Sequence, residues 1–136
     1  MNRVVHFEIH ADDIERATKF YTTVFGWEIK KWEGMEYWMI MTAPMDSKEL
    51  GINGGMVLRK SGPDCPPLIP NQAVNAHVCT VQVEDIDKTI AMILENGGTL
   101  ALEKFDIGGM ALQAYYKDTE GNIFGIHQRT GAVTQS

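Results

Sequence analysis

The chain has 136 residues, of which 44% are hydrophobic, and a formal net charge of −6 at pH 7. This length suits one domain with a sizeable core, and the negative charge argues against a nucleic-acid partner because it repels phosphate backbones. No apolar run approaches the roughly 20 residues that cross a bilayer, and the two cysteines are too few for a disulfide framework. We therefore expect a cytoplasmic protein with neither a nucleic-acid nor a membrane partner.

The first predicted strand covers residues 4–10 and alternates strictly between apolar and polar side chains. Its apolar face is expected to pack against the helix that follows. Asp12, with Glu15 three residues later, predicts the N-terminus of that helix, and Gly26 predicts its end. The polar face either meets water or lines a cavity, and it carries three ionisable side chains: His6, Glu8 and His10.

The second half of the chain repeats this pattern at an offset of 72 positions, which carries Ile14 onto Ile86 and Gly26 onto Gly98. Between the halves lies a proline-rich segment that no regular element would tolerate. Cys79 shares its side of a predicted strand with the valines that follow and is expected to be buried. The remaining predicted elements are strands over 27–30, 36–41, 51–58, 76–83, 99–104, 111–116 and 122–128 and a helix over 86–96.

Several segments resemble the vicinal oxygen chelate superfamily, which includes glyoxalase I, bleomycin-resistance proteins and extradiol dioxygenases. They are residues 6–9, 11–17, 20–21, 24–27 and 117–124, so the resemblance spans nearly the whole chain. It implies an α+β protein with two tandem β-α-β-β-β modules, each a curled mixed sheet forming half of a cavity-bearing, barrel-like fold.

We expect a single domain over residues 1–136. Module one covers about 3–60, a Pro-rich linker about 61–72, module two about 73–128 and a C-terminal tail 129–136.

Members of this superfamily that use a metal draw their ligands from the first and last strands of each module. Here only His6 keeps a ligand at such a position, because the other three positions hold Gly55, Val78 and Gly125. The resemblance therefore favours a protein without a cofactor. A divalent metal stays open as an alternative if His6, Glu8 and His127 converge into a rearranged site.

The predicted cavity is polar at its mouth and partly aromatic. Its expected lining is His6, Glu8, His10, Tyr37, Trp38, Gly55, Tyr115, Gly125 and His127. His6 and Glu8 are the catalytic candidates, since a paired imidazole and carboxylate can act as a general base or hold a substrate. A solvated strand face explains the same residues more simply, and alternation does not decide whether Tyr37 or Trp38 faces the cavity.

Three functions follow from these observations. The first is a glyoxalase/bleomycin-resistance-like protein that binds a small organic molecule in its cavity without the full metal site of the superfamily. The second is a metal-dependent lyase of the glyoxalase type, or a dioxygenase, with a rearranged site. The third is a non-catalytic interaction module, and a homodimer is compatible with each of them.

Overall fold

The structure, a computed structural model, describes residues 4–59 and 78–131. They form two compact units, one on either side of residues 60–77. The predicted linker, the residues before Val4 and the tail after Gly131 lie outside the described residues. Within the described ranges, no helix is long and apolar enough to cross a membrane.

Each unit is a β-α-β-β-β module, as predicted. The first contains β1 (Phe7–Ala11), α1 (Ile14–Phe25), β2 (Glu28–Lys31), β3 (Trp38–Met41) and β4 (Gly54–Leu58). The second contains β5 (Thr80–Gln82), α2 (Ile86–Glu95), β6 (Thr99–Ile107), β7 (Ala111–Lys117) and β8 (Ile123–Arg129).

The two sheets share one topology. Their strand orders are β1-β4-β3-β2 and β5-β8-β7-β6, with the first pair parallel in each sheet and the other pairs antiparallel. Neither sheet closes on itself, so β1 and β2 are edges of one sheet and β5 and β6 are edges of the other. The α+β class and the tandem mixed sheets are therefore confirmed.

The helix caps reproduce the internal repeat. Asp13 caps α1 by accepting a hydrogen bond from the backbone N–H of Arg16, and Asp85, 72 positions on, caps α2 in the same way. The predicted cap, Asp12, is wrong by one residue. At the other end of α1, Gly26 takes the left-handed conformation expected of it, with φ 71°.

At the end of α2 the glycine with positive φ is Gly97, at 92°, and not Gly98, onto which the offset of 72 carries Gly26. Gly98 serves a packing role instead, because a Cβ there would overlap the side chain of Ile93.

Each helix packs against one face of its sheet, and that face holds the core. The buried apolar side chains on this side are Ala11, Ala17, Phe20, Tyr21, Ile40 and Met56 in the first module and Ile86, Ile93, Ala114, Tyr116, Phe124 and Ile126 in the second, whereas Ala111 is buried on the opposite face. We call the other side of each sheet its distal face. Because side chains alternate along a strand, strand pairing assigns every strand residue to one of these two faces.

Two sequence expectations about the core are wrong. β1 begins at Phe7 and not at Val4, and Val5 is 76% exposed, so the first part of the predicted apolar face packs against no helix. Cys79, expected to be buried, is exposed and precedes β5. Both residues lie just outside the paired part of a first strand, where alternation no longer dictates burial.

Candidate functional site

Strand pairing places several predicted site residues of the first module on its distal face. Gly55 pairs with Glu8 on one side and with Met39 on the other. Tyr37 precedes Met39 by two residues and therefore lies on the same face. Trp38 pairs with Met56, a fully buried core residue, so of the two aromatic candidates Tyr37 lies on the distal face and Trp38 on the helix-facing side.

The Tyr37 side chain occupies the space that Gly55 leaves empty. A Cβ built on Gly55 would overlap the hydroxyl end of the Tyr37 ring, so only glycine allows this approach. The Tyr37 hydroxyl lies 2.7 Å from Nε2 of His6, and the two rings are nearly parallel, with an interplanar angle of 16°. His6 and Tyr37 thus form a hydrogen-bonded pair over Gly55, the glycine at which the resemblance predicts a metal ligand.

Glu8 pairs with His10 and not with His6. Its Oε1 lies 3.1 Å from Nε2 of His10, and both side chains are almost half exposed, at 46% and 45%. An ion pair at such exposure contributes about 0–1 kcal/mol to folding because water screens it. The buried pair of His6 and Glu8 that the sequence suggested is therefore not formed, and the Glu8 carboxylate stands at the solvent side of the site.

The Tyr37 hydroxyl resists ionisation. Burial raises the pKa of Tyr37 above 10.0, and the nearby Glu8 carboxylate raises it further, since both disfavour a phenolate. The folded protein therefore holds this proton more tightly than the unfolded chain. The resulting stabilisation is fully present below pH 10 and is lost as the pH rises through the folded-state pKa.

We expect Tyr37→Phe to lose less stability than the native chain between pH 8 and about pH 11. Urea unfolding at the two pH values measures the difference. Tyr116, whose pKa is also raised, mainly by burial, is present in both proteins and serves as an internal control. Equal losses in the two proteins would show that Tyr37 ionises as freely as it does in the unfolded chain.

The second module carries an equivalent arrangement around Gly125. This glycine pairs with Thr80 and Tyr115, just as Gly55 pairs with Glu8 and Met39. A Cβ on Gly125 would lie 2.6 Å from Oγ1 of Thr80 and 2.7 Å from Nε2 of Gln113. The empty space is therefore filled by polar atoms of neighbouring strands, as it is in the first module.

Gln113 is the centre of this second arrangement. It is only 5% exposed, its Oε1 lies 2.8 Å from Nδ1 of His127, and its Nε2 donates a long hydrogen bond of 3.4 Å to Thr80. With Oε1 as the acceptor, Nδ1 of His127 carries the proton and Nε2 keeps its lone pair. Gln113 and Thr80 were not predicted, although Thr80 lies 72 positions after Glu8 and Gln113 shares its face with Tyr115.

The residues at the superfamily's metal positions do not fit a metal. His6 supplies one imidazole, whereas Gly55, Val78 and Gly125 supply no ligand. The space beside both glycines is filled by Tyr37, Gln113 and Thr80. Within residues 4–59 and 78–131, no group of three or more His, Cys, Asp or Glu side chains could hold a metal ion.

Comparison with known proteins agrees with this fold. Residues 3–43 match the domain family described as Bleomycin resistance protein-like N-terminal. A glyoxylase-like domain-containing protein from Didymella fabae is 29% identical over 129 residues, which cover 91% of each chain.

Several solved structures align over nearly the whole chain. A glyoxalase-related enzyme from Fulvimarina pelagi aligns with a TM-score of 0.68 at 17% identity, covering 100% of this chain and 99% of that one. The fosfomycin resistance protein FosX from Listeria monocytogenes gives 0.68 at 16% identity, with 96% and 95% covered. TnmS3, an antibiotic binding protein from Streptomyces sp. CB03234, gives 0.62 at 21% identity, with 95% and 97% covered.

Proposed function

We propose that this chain is a glyoxalase/bleomycin-resistance-like protein that binds a small organic molecule without the metal of the superfamily. The fold and the family match over residues 3–43 support this proposal. The single observation that carries this proposal is the Tyr37–His6 pair over Gly55. It places hydrogen-bonding groups of the protein where related proteins hold a metal ligand.

The pair can both donate and accept hydrogen bonds. Tyr37 is a neutral phenol at physiological pH, which lies well below its raised pKa. Its oxygen can therefore accept a hydrogen bond from a ligand while the hydroxyl donates to His6, or the hydroxyl can donate to the ligand if His6 turns away. Such charge-neutral hydrogen bonds contribute about 0.5–1.5 kcal/mol each. Their value lies in orienting a ligand that gains most of its affinity from apolar contacts.

Charge favours a basic ligand on the first module. Glu8 lies on the same face as Tyr37, close enough for its carboxylate to raise the pKa of Tyr37. The chain as a whole carries a formal charge of −6, which attracts cations. A partly basic organic molecule therefore suits this surface better than an anion does.

Metal-free bleomycin is the first probe, because the domain that matches residues 3–43 is named after resistance to it. In calorimetric titrations we expect Tyr37→Phe and His6→Ala to weaken binding about tenfold each, the cost of one lost hydrogen bond in a desolvated contact. Glu8→Gln should weaken it by a smaller factor that disappears at high salt. Glu33→Gln, an equal charge change in an exposed turn, is the matched control.

Unchanged binding in both Tyr37→Phe and His6→Ala would exclude this pair as the ligand site. Loss of the folded state in these variants, seen by circular dichroism, would assign them a structural role instead. The metal-dependent lyase or dioxygenase remains the alternative proposal. This alternative predicts catalytic turnover that a chelator abolishes. The residues present at the site do not favour this alternative.

A further inference from the structure

Among the described residues of the second module, the distal face carries an arginine without a partner, Arg129, one same-face position from the strand pair of Gln113 and His127. The buried amide of Gln113 has one N–H that makes no hydrogen bond to these residues. We propose that this face is a subsite for an aromatic carboxylate, held by Arg129 and Gln113. The proposal shares with the proposed function only the premise that the protein binds small molecules. Its residues lie in the other module, so either proposal can be refuted without refuting the other.

Strand pairing puts the polar residues of this subsite at consecutive same-face positions of β7 and β8. Gln113 pairs with His127, and Ala111 pairs with Arg129, the next distal-face position along both strands. Consecutive same-face residues of one strand are about 6.6 Å apart, so the Arg129 side chain can reach a ligand that also contacts Gln113 or His127. Arg129 is exposed, and its guanidinium makes no hydrogen bond or ion pair with the described residues.

Gln113 supplies the second donor. One N–H of its amide makes the 3.4 Å hydrogen bond to Thr80, and the other has no partner among the described residues. A side chain that is only 5% exposed gains from completing its hydrogen bonds, since a buried donor without an acceptor is costly. A carboxylate between Gln113 and Arg129 would accept from both, and Arg–carboxylate hydrogen bonds are among the strongest in proteins.

An apolar strip borders these donors. Leu102 pairs with Tyr115, Phe105 with Gln113, and Ile107 with Ala111, so all three side chains of β6 lie on the distal face. They are 53%, 41% and 37% exposed, respectively, which is unusual for apolar residues in a row. An aromatic ring attached to the carboxylate would cover them.

The acidic residues of β6 do not oppose an anion here. Asp106 pairs with Leu112 and accepts hydrogen bonds from the backbone N–H of Gly109, which places it off the distal face. Glu103 contributes to the raised pKa of Tyr116, a core residue on the helix side of the sheet. Neither acidic residue of β6 is therefore placed beside Gln113 on the distal face.

The test compares 2-naphthoate with its neutral analogue 2-naphthamide by calorimetry on the full chain. We expect the carboxylate to bind about tenfold more tightly, as a partly exposed charge-assisted hydrogen bond implies. Arg129→Gln should abolish that preference while leaving the affinity for the amide unchanged. Lys88→Gln, an equal charge change on α2 of the same module, should preserve the preference. Phe105→Ala should weaken both ligands alike.

A readout on Gln113 itself avoids unfolding this buried residue. In the native chain, the side-chain amide ¹⁵N–H resonances of Gln113 should shift on addition of naphthoate and stay in place in Arg129→Gln. The proposal is overturned if naphthoate does not bind, if both ligands bind equally, or if Arg129→Gln and Lys88→Gln behave alike. Because bleomycin binding is tested with variants of the first module and naphthoate binding with variants of the second, failure of either experiment is recognised separately.

Discussion

Replacing Gly55 with alanine is expected to weaken ligand binding by at least about tenfold while costing only about 1 kcal/mol of folding stability. The new Cβ would overlap the hydroxyl end of the Tyr37 ring. That end of the side chain can swing away with little disturbance to the fold, because Tyr37 precedes β3 and is only partly buried. Its hydrogen bond to His6 would then be lost. Bleomycin titration and urea unfolding of the same variant measure the two effects.

The neighbouring glycine provides the control. A Cβ on Gly54 would lie 2.5 Å from the backbone carbonyl oxygen of Phe7, its partner in β1. Backbone atoms in a paired strand cannot yield as a side-chain end can, so Gly54→Ala should cost about 3 kcal/mol. If Gly55→Ala is as destabilising as Gly54→Ala, or if it binds ligand normally, then Tyr37 is not the mobile group that fills the site.

Replacing Asp118 with alanine is expected to lower the free energy of unfolding by about 3 kcal/mol. Its carboxylate is 3% exposed, and Oδ1 accepts hydrogen bonds from the backbone N–H groups of Glu120 and Asn122 at 2.8 and 2.9 Å. Alanine would leave both donors without this acceptor in the turn that joins β7 and β8. These are the strands that position Gln113 and His127.

Asp118→Asn is the matched variant, because its amide oxygen can still accept both hydrogen bonds at the position of Oδ1. We expect it to retain more than half of the stability that alanine loses. Urea denaturation with two-state fitting distinguishes the variants. A loss below about 0.5 kcal/mol in Asp118→Ala would show that water replaces the carboxylate and that the turn does not depend on it.

The modules were predictable because their signals are local and repeated. Alternation along strands, an acidic cap and a terminal glycine each appear twice, and the structure places Asp13 and Asp85 at equivalent caps. The error at Asp12 has a long-range cause. Its carboxylate accepts a hydrogen bond from Arg59 at 3.0 Å, a contact across 47 positions that no local pattern reveals.

The candidate site was only partly predictable. The alternation of side chains along the strands correctly placed Glu8 and Gly55 on the same face. It could not decide between Tyr37 and Trp38, because that choice requires the register between β3 and β4. Gln113 and Thr80 were not predicted because an amide and a hydroxyl carry no ionisable group that would mark them in the sequence. The pairing of Tyr37 with His6 depends on two segments 31 positions apart meeting above a glycine.

The most direct test of the central claim is the metal content of the protein when ligand is bound. We predict that chelator-treated protein binds metal-free bleomycin as tightly as untreated protein does, once elemental analysis shows less than about 0.1 equivalent of transition metal. We also predict that Tyr37→Phe weakens this binding about tenfold. One equivalent of metal per chain, removed by the chelator together with binding, would contradict the account.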